Sequence, residues 1–167
     1  METKTAFIEG YDNYYSVSTD GTVKNKYGKD MGAIGLNNRV QVCLSNKGVK
    51  KYMYIHRLVA LYFIPNPHNY KEIDHIDNNP CNNVVENLRW ASGSLNNRNK
   101  FKNPNSKNKY KGVSWSSPMN KWRARVKINK KEINIGYANT EKEGAEMYNE
   151  YIKLNNLEGF WKLNIII

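Results

Sequence analysis

The residues of this chain that are best suited to catalysis stand between positions 72 and 99. An Asp-His pair, Asp74-His75, is followed along the chain by Asn87 and then by Asn96. Hydrolysis of a phosphodiester needs a base that activates water and a cation that neutralises charge on the leaving oxygen. A neutral imidazole suits the first task near neutral pH, and a carboxylate with an amide oxygen suits Mg²⁺. The pattern therefore indicates phosphodiester hydrolysis, with a strand that ends in Asp-His and an Asn in the following helix.

Further motifs accompany these residues in a definite order. They are residues 54–60 (YIHRLVA), 73–77 (IDHID), 82–83 (NN), 86–90 (ENLRW) and Asn96. Together they resemble the HNH nucleases with a ββα-metal fold, in the branch of the phage homing endonucleases. The last motif position holds Asn rather than His, so the chain is an H-N-N variant. This departure implies a hard cation rather than zinc.

The resemblance assigns a role to each residue of the pattern. It implies that His75 is the general base that deprotonates the attacking water. It implies that Asp74 and Asn96 hold one Mg²⁺ or Mn²⁺ ion, and that Asn87 orients the loop and the catalytic histidine. The implied products carry 5′-phosphate and 3′-hydroxyl ends. The chain has one active site and no evident dimerisation helix, so it is expected to act on DNA as a monomer. It is expected to nick one strand, or to nick the strands in sequence. The expected target is a specific site, recognised with tolerance of sequence changes.

Several residues of this segment have a structural alternative. An Asp-His pair in an Asn-rich loop is by itself typical of turns, and the ordered Asn-Leu-Arg-Trp element with Asn96 favours catalysis. His56 is a candidate DNA or phosphate contact, with capping or packing as the alternative. Arg89 is either a phosphate clamp or a structural arginine. Trp90 is predicted to lie in the core.

The elements that must position these groups are visible in the periodicity. Residues 55–63 repeat apolar positions at helical spacing, and Pro65 stops that helix. Residues 72–75 are predicted to form a short strand. Ser92 can cap a second helix that runs through Asn99.

The first fifty residues predict small antiparallel sheets. The strand-like runs are residues 14–18, 22–24, 40–44 and 49–54, with an Asp20-Gly21 turn and a turn over 45–48. This stretch resembles the modular motif that often precedes nucleases of this type. The resemblance implies a small sheet against DNA, and packing alone is the alternative explanation of its tyrosines.

Residues 110–155 have the pattern of a separate small module. Strand-like runs over 112–115, 122–128 and 132–137 precede a capping box at 140–143, which begins a helix to about residue 155. The motifs YKGV (110–113), KWRARV (121–126) and GY (136–137) resemble the DNA-binding domain of plant ethylene-response factors. That resemblance implies a three-stranded sheet that enters the major groove.

Strand alternation selects the DNA contacts expected on this sheet. Arg123 and Arg125 share one face, while Trp122 faces the other way. Arg123 and Arg125 are therefore the predicted base or phosphate contacts, with Trp115 and Lys121 nearby. A solvated basic sheet is the alternative.

The sequence thus predicts a modular α+β protein. Its expected parts are an N-terminal β module (1–53), a ββα-metal nuclease core (54–100), a basic linker (101–109), and a three-stranded sheet with a helix and tail (110–167).

The charge balance points to a polyanionic partner. The 167 residues include 26 Lys plus Arg against 15 Asp plus Glu, a net charge of +11, which exceeds what solubility requires. With the modules above, this predicts double-stranded DNA as the partner. A membrane partner is not expected, because the chain has no apolar run long enough to span a bilayer. Cys43 and Cys81 form no CxxC pair, which argues against a thiolate zinc site or a disulfide framework.

No signal peptide is predicted, so the expected location is the cytoplasm of a bacterial host. The many Asn and Lys residues are typical of an AT-rich phage or mobile element. Two alternatives from other classes stay open. One is a non-catalytic, sequence-specific DNA-binding regulator derived from a homing nuclease. The other is a binder of structured RNA.

Overall fold

The computed structural model describes residues 2–35, 38–103 and 105–166. The chain has a mixed α+β fold of small antiparallel sheets and few helices, which confirms the predicted fold class. It divides into two compact units, Met1–Asn96 and Asn97–Ile167. Among the helices of the described ranges, none has the length and apolar character needed to cross a bilayer.

The first unit is built from short strands joined by tight turns. Its strands are β1 Thr5–Phe7, β2 Tyr15–Ser18, β3 Val23–Asn25, β4 Asp30–Met31, β5 Ala33–Ile34, β6 Val40–Asn46, β7 Val49–Tyr54, β8 Glu72–His75 and β9 Leu88–Ala91. They pair antiparallel in the orders β1-β2-β3-β4, β5-β6-β7 and β8-β9. The helices are α1 (Ile55–Phe63) and α2 (Gly93–Asn99), and the last residues of α2 begin the second unit.

The turn between β2 and β3 approaches the loop that follows β8. Gly21 has a φ of +83°, and a Cβ placed there would lie 2.7 Å from the backbone carbon of Asn83. The backbone N–H of Val85 also donates to the carbonyl of Thr19 at 2.8 Å. Glycine is therefore required at position 21 both for its left-handed conformation and for the close contact.

Buried residues on both sides of position 53 form a single core. Val17, Val42 and Leu44 of the N-terminal sheets pack in one cluster with Leu58 and Val59 of α1. Complete burial of an aliphatic side chain of this size contributes about 1.5–3 kcal/mol. The segments predicted as an N-terminal module and a nuclease core therefore share their hydrophobic interior, and the boundary at 53/54 stays a prediction about sequence modules.

Helix α1 occupies the residues predicted for it. Its buried face includes Ile55, Leu58 and Val59, at the spacing of one helical stripe. The helix ends before Pro65, and the carbonyl of Ile64 accepts a hydrogen bond from the indole N–H of Trp90 at 2.9 Å. Trp90 thereby joins the end of α1 to β9 and packs against the core, as predicted.

The second unit is a three-stranded sheet with one long helix packed against it. The elements are β10 Val113–Ser116, β11 Lys121–Ile128, β12 Lys131–Ala138 and α3 Glu141–Leu154, with the strands antiparallel in the order β10-β11-β12. The three strands and the helix confirm the secondary structure expected for residues 110–155.

Helix α3 begins with the predicted capping box. The hydroxyl of Thr140 accepts from the backbone N–H of Glu143 at 3.1 Å, and the Glu143 carboxylate accepts from the backbone N–H of Thr140 at 3.3 Å. The buried face of α3 includes Ala145, Tyr148 and Ile152. Burial raises the pKa of Tyr148 to about 12, so this phenol stays neutral.

Candidate active site

The β8–β9 hairpin carries the Asp-His pair. Asp74 is directly opposite Arg89 across the hairpin, and His75 is opposite Leu88. Because side chains alternate along a strand, Glu72 and Asp74 share one face of β8 and His75 lies on the other. The Asp-His pair thus divides between two environments.

His75 lies in the interior and is held by an amide. The residue is 8% exposed, and its ring Nε2 lies 3.1 Å from Oδ1 of Asn83. The Asn83 amide nitrogen donates to the carbonyl of Cys81 at 3.3 Å, which fixes Oδ1 as the atom facing the ring. Because Oδ1 can only accept, the hydrogen of the neutral ring is on Nε2, and Nδ1 has the lone pair. Nδ1 is therefore the basic atom of His75.

His56 forms an uncharged wall beside this ring. It stacks on Tyr54 with ring centroids 5.3 Å apart and meets His75 edge-on at 5.1 Å. Burial foremost, then the nearby charges of His75, Arg39 and Arg57, lowers the pKa of His56 to about 3. The residue as a whole is 5% exposed. These properties favour the packing alternative over the predicted DNA contact.

Asp74 is paired with an arginine. Its Oδ2 accepts from Nε of Arg89 at 2.9 Å and lies 2.7 Å from Nη2. The carboxylate side chain is 3% exposed, and the guanidinium offsets the cost of burying its charge. For Arg89, the contact favours the structural alternative over a phosphate clamp.

Asn96 is oriented by Glu72, a residue that the sequence motifs do not single out. Nδ2 of Asn96 donates to Oε2 of Glu72 at 2.6 Å. Because the amide nitrogen faces Glu72, the amide oxygen of Asn96 points away from Glu72. Strand alternation is the signal that could have identified Glu72, because it places this carboxylate on the face of Asp74. The predicted cap of α2 is present, since Ser92 Oγ accepts from the backbone N–H of Leu95 at 3.3 Å.

Asn87 ties together both ends of the loop after β8. Its Oδ1 accepts from the backbone N–H of Asp77 at 3.0 Å, and its Nδ2 donates to Oδ1 of Asp77 at 2.9 Å and to the carbonyl of Asn82 at 2.8 Å. Burial tends to raise the pKa of Asp77. Hydrogen bonds from the Asn79 backbone and from the amides of Asn82 and Asn87 outweigh it and hold that pKa below its ordinary value. These are the contacts by which Asn87 would orient the loop, the role predicted for it.

The oxygen atoms near β8 and α2 suit a hydrated hard cation. Asp74 offers a carboxylate, Asn96 an amide oxygen, and Glu72 a further carboxylate bonded to Asn96. Within residues 2–35, 38–103 and 105–166, no group of three or more His, Cys, Asp or Glu side chains is arranged to hold a metal ion. Mg²⁺ keeps several of its waters and takes few protein ligands, so a set of one carboxylate and one amide fits its chemistry.

The predicted contacts of the second unit lie on its sheet. Nη2 of Arg123 lies 3.0 Å from Glu132, and Nη1 of Arg125 lies 2.6 Å from the other oxygen of the same carboxylate. The two arginines therefore share one face, as alternation predicts, despite a register shift between positions 124 and 125. Trp115 is 46% exposed, and Lys121 is exposed at the start of β11.

Of the predicted residues, the structure brings together Asp74 with Arg89 and His75 with His56. It places Asn87 and Asn96 against Asp77 and Glu72 instead. Asn83 belongs to the motif at 82–83 but received no role from the sequence, and Glu72 was not singled out at all. Their roles depend on contacts across the loop and between β8 and α2.

Comparison with known proteins shows which family part of this chain resembles. Residues 53–98 match the family model described as HNH endonuclease. The chain is 40% identical over 89 residues to an uncharacterized HNH endonuclease of Acanthamoeba polyphaga mimivirus, covering 51% of this chain and 26% of the relative. It is 35% identical over 96 residues to the DNA endonuclease I-HmuI of Bacillus phage SP01, covering 56% and 55%. It is 42% identical over 64 residues to Protein 3.8 of Escherichia phage T7, covering 38% and 52%.

A solved structure is also similar. It is described as DNA binding and cleavage by the HNH homing endonuclease I-HmuI, and it matches with a TM-score of 0.52 at 35% identity, covering 59% of this chain and 57% of that chain. This chain thus spans little more than half of that relative, and about a quarter of the mimivirus one. The expectation of an HNH endonuclease domain is confirmed over residues 53–98. The resemblance to ethylene-response factors concerns residues beyond this match and stays a prediction.

Proposed function

We propose that this protein is a site-specific DNA endonuclease of the homing type, which hydrolyses a phosphodiester with the aid of one Mg²⁺ or Mn²⁺ ion. The observation that carries the proposal is the hydrogen bond between His75 and Asn83, inside the segment that matches HNH endonucleases. It leaves the lone pair of the neutral ring on Nδ1, as a general base requires.

In the proposed reaction, Nδ1 of His75 takes a proton from the attacking water. Asn83 keeps Nε2 as a donor throughout, so the ring that becomes charged is held in one orientation. The neutral His56 beside it adds no positive charge that would oppose this protonation.

Asp74 and the amide oxygen of Asn96 would hold the ion, with Glu72 retaining the amide nitrogen. When bound, the cation supplies charge stabilisation for the transition state and the departing 3′-oxygen. The contact between Asp74 and Arg89 keeps the carboxylate in place, and Asn87 holds the loop between His75 and Asn83. We further propose 5′-phosphate and 3′-hydroxyl products, and nicking of one strand by a monomer.

A plasmid assay tests the proposal. Supercoiled plasmid with candidate target DNA from the source genome is incubated with the protein and Mg²⁺ or Mn²⁺, with EDTA as the negative control. We expect metal-dependent nicked circles. His75→Ala should reduce the rate by about 10²–10⁴, the usual range for loss of a general base.

The matched control is His68→Ala, because His68 is an exposed loop histidine outside the hairpin. It should cleave at the rate of the unaltered protein, and a gel shift should show equal DNA binding by all three proteins. Linear product would show that the protein cleaves both strands rather than nicking one. Equal cleavage by His75→Ala would remove His75 as the base.

A second candidate function is a non-catalytic DNA-binding regulator. The observation in its favour is the ion pair of Asp74 with Arg89, which engages a predicted metal ligand. Under this alternative, tight and site-specific binding in the gel shift would accompany no cleavage with either metal.

A further inference from the structure

A pocket of about 190 Å³ in the second unit is lined by five lysines. They are Lys100, Lys102, Lys109, Lys111 and Lys162, and we call this site the lysine pocket. Its remaining lining residues, all of them described by the structure, include Phe101 and Asn164 and no Asp or Glu. Four of the lysines come from the predicted linker and the residues beside it, and Lys162 comes from the tail after α3.

Lys111 braces the floor of the pocket. Its ammonium donates to the carbonyls of Asn97, Arg98 and Lys100, near the end of α2. Its backbone N–H donates to Oδ1 of Asn164 at 2.7 Å, and Nδ2 of Asn164 donates back to the carbonyl of Lys111 at 3.0 Å. These bonds hold the chain segments that carry the other lysines, so the pocket is a built feature of the fold.

The lysines give the pocket an excess of positive charge, because the carboxylate of Glu141 accepts from the backbone N–H groups of Lys109 and Tyr110 but does not line it. Burial foremost, then the charges of Lys102 and Lys162, lowers the pKa of Lys111 to about 8. The contacts of the neighbouring lysines are weak: Lys162 lies 4.8 Å from the Phe101 ring centre, and Lys109 lies 5.4 Å from the Tyr110 ring centre. Neither contact neutralises a charge, so both ammonium groups can attract an anion.

The sheet of the same unit is different. Arg123 and Arg125 already share the carboxylate of Glu132. A phosphate that approaches them must replace this carboxylate or bind beside a negative charge. No carboxylate lines the lysine pocket, so an anion can approach its lysine side chains without displacing an acidic group.

We propose that the lysine pocket binds a phosphate group of the DNA backbone, with Lys102 and Lys162 as its principal contacts. Its volume lies below the roughly 300–1,000 Å³ of pockets for drug-sized ligands, and so suits a phosphate rather than a whole nucleotide. Lysine binds phosphate as a point charge without the planar geometry of arginine. The proposal rests on the proposed DNA partner, and it adds to the second unit a site made of residues other than the predicted sheet contacts.

The test measures binding of a fluorescently labelled DNA duplex in EDTA over a series of salt concentrations. The pocket variant is the double substitution Lys102→Gln and Lys162→Gln. The matched control is Lys142→Gln and Lys153→Gln, because both residues are exposed on α3 and the change in net charge is the same. Loss of one phosphate contact should reduce the slope of log affinity against log salt by about 1 in the pocket variant. We expect about tenfold weaker binding at low salt, and a smaller change in slope for the control.

Equal slopes for the pocket variant and its control would overturn the proposal. The proposal would also be overturned if these lysines bound inorganic phosphate more tightly than the duplex. The same holds if the double substitution weakened binding of an RNA duplex of the same sequence as much as binding of the DNA. Circular dichroism melting checks that each variant folds. If the pocket variant does not fold, the double substitution Lys100→Gln and Lys109→Gln takes its place.

Because cleavage does not occur in EDTA, this result is independent of the proposed nuclease. Metal-dependent cleavage with unchanged slopes would contradict only the proposed phosphate site. A reduced slope in the pocket variant, with no cleavage by the unaltered protein, would contradict only the proposed nuclease activity.

Discussion

In the β8–β9 hairpin the charged and amide side chains are bound to partners, whereas in the lysine pocket cations are collected without a carboxylate. Asp74 is matched with Arg89, and Asn96 with Glu72. Lys102 and Lys162, in contrast, lie close enough to lower the pKa of a third lysine. A centre for bond cleavage needs each group in one orientation, and partners provide it. A site for a polyanion needs unneutralised charge, which partners would remove.

The largest effect is expected for removal of an arginine, and it compares the buried ion pair of the hairpin with an exposed ion pair on the sheet of the second unit. Arg89→Met leaves the carboxylate of Asp74 buried without its cation, and should lower the free energy of unfolding by about 3–5 kcal/mol. Arg125→Met breaks an exposed ion pair with Glu132, and should cost at most about 1 kcal/mol. Urea unfolding of the two variants at the same pH measures both.

The variant Asp74→Asn combined with Arg89→Met provides the control for the first change. Removing the carboxylate charge should restore part of the stability lost in Arg89→Met. If Arg89→Met and Arg125→Met lower the free energy of unfolding equally, the ion pair in the hairpin contributes no more than a surface contact, and its partner is not needed to keep Asp74 in place.

A smaller effect is expected for Glu72, and it concerns metal binding rather than stability. Glu72→Ala removes the acceptor of the hydrogen bond from Nδ2 of Asn96. The amide of Asn96 can then rotate away from its present orientation. Loss of a partner that orients a metal ligand typically costs 10–100-fold in metal affinity. We expect the Mn²⁺ concentration for half-maximal cleavage to rise about tenfold, and Mn²⁺ affinity by calorimetry to fall equally.

DNA affinity in EDTA separates this role from a role in DNA binding. Glu72→Ala should leave it unchanged, whereas the lysine pocket variant should change it. Glu72→Gln retains an oxygen acceptor for Asn96 and should recover most of the metal affinity. If Glu72→Ala needs no additional Mn²⁺, Glu72 does not position Asn96.

The elements of both units could be predicted from the sequence because their signals are local. Helix α1 follows from the spacing of Ile55, Leu58 and Val59 and from Pro65 after it. The start of α3 follows from the Thr140 and Glu143 capping box. Strand alternation likewise gives the shared face of the sheet arginines. Each of these signals lies within a few residues of the feature that it predicts.

The environment of the candidate residues could not be predicted in the same way. His75 and Asp74 are identified by motif, but their bonds to Asn83 and Arg89 depend on how the loop closes and how β9 pairs. The lysine pocket is harder still, because Lys162 is far along the chain from Lys102. A basic linker with no periodic pattern gives no indication that its lysines surround a cavity.

The smallest expected effect tests how closely the hairpin depends on backbone contacts, through two glycines with the same conformation. Gly10 and Gly21 both have a φ of +83°, but a Cβ at Gly10 has no atom within 4 Å, whereas one at Gly21 lies 2.7 Å from the backbone of Asn83. Gly10→Ala should therefore cost only the left-handed conformation, about 1 kcal/mol. Gly21→Ala should cost about 1 kcal/mol more, because Asn83 must move.

Since Asn83 holds the ring of His75, Gly21→Ala should also slow cleavage, while Gly10→Ala should not. Thermal melts give the stabilities, and single-turnover nicking at saturating protein gives the rates. If the two variants cleave equally fast, the position of Asn83 does not control the base. The stricter geometry ascribed to the hairpin would then apply to the fold of this region and not to its chemistry.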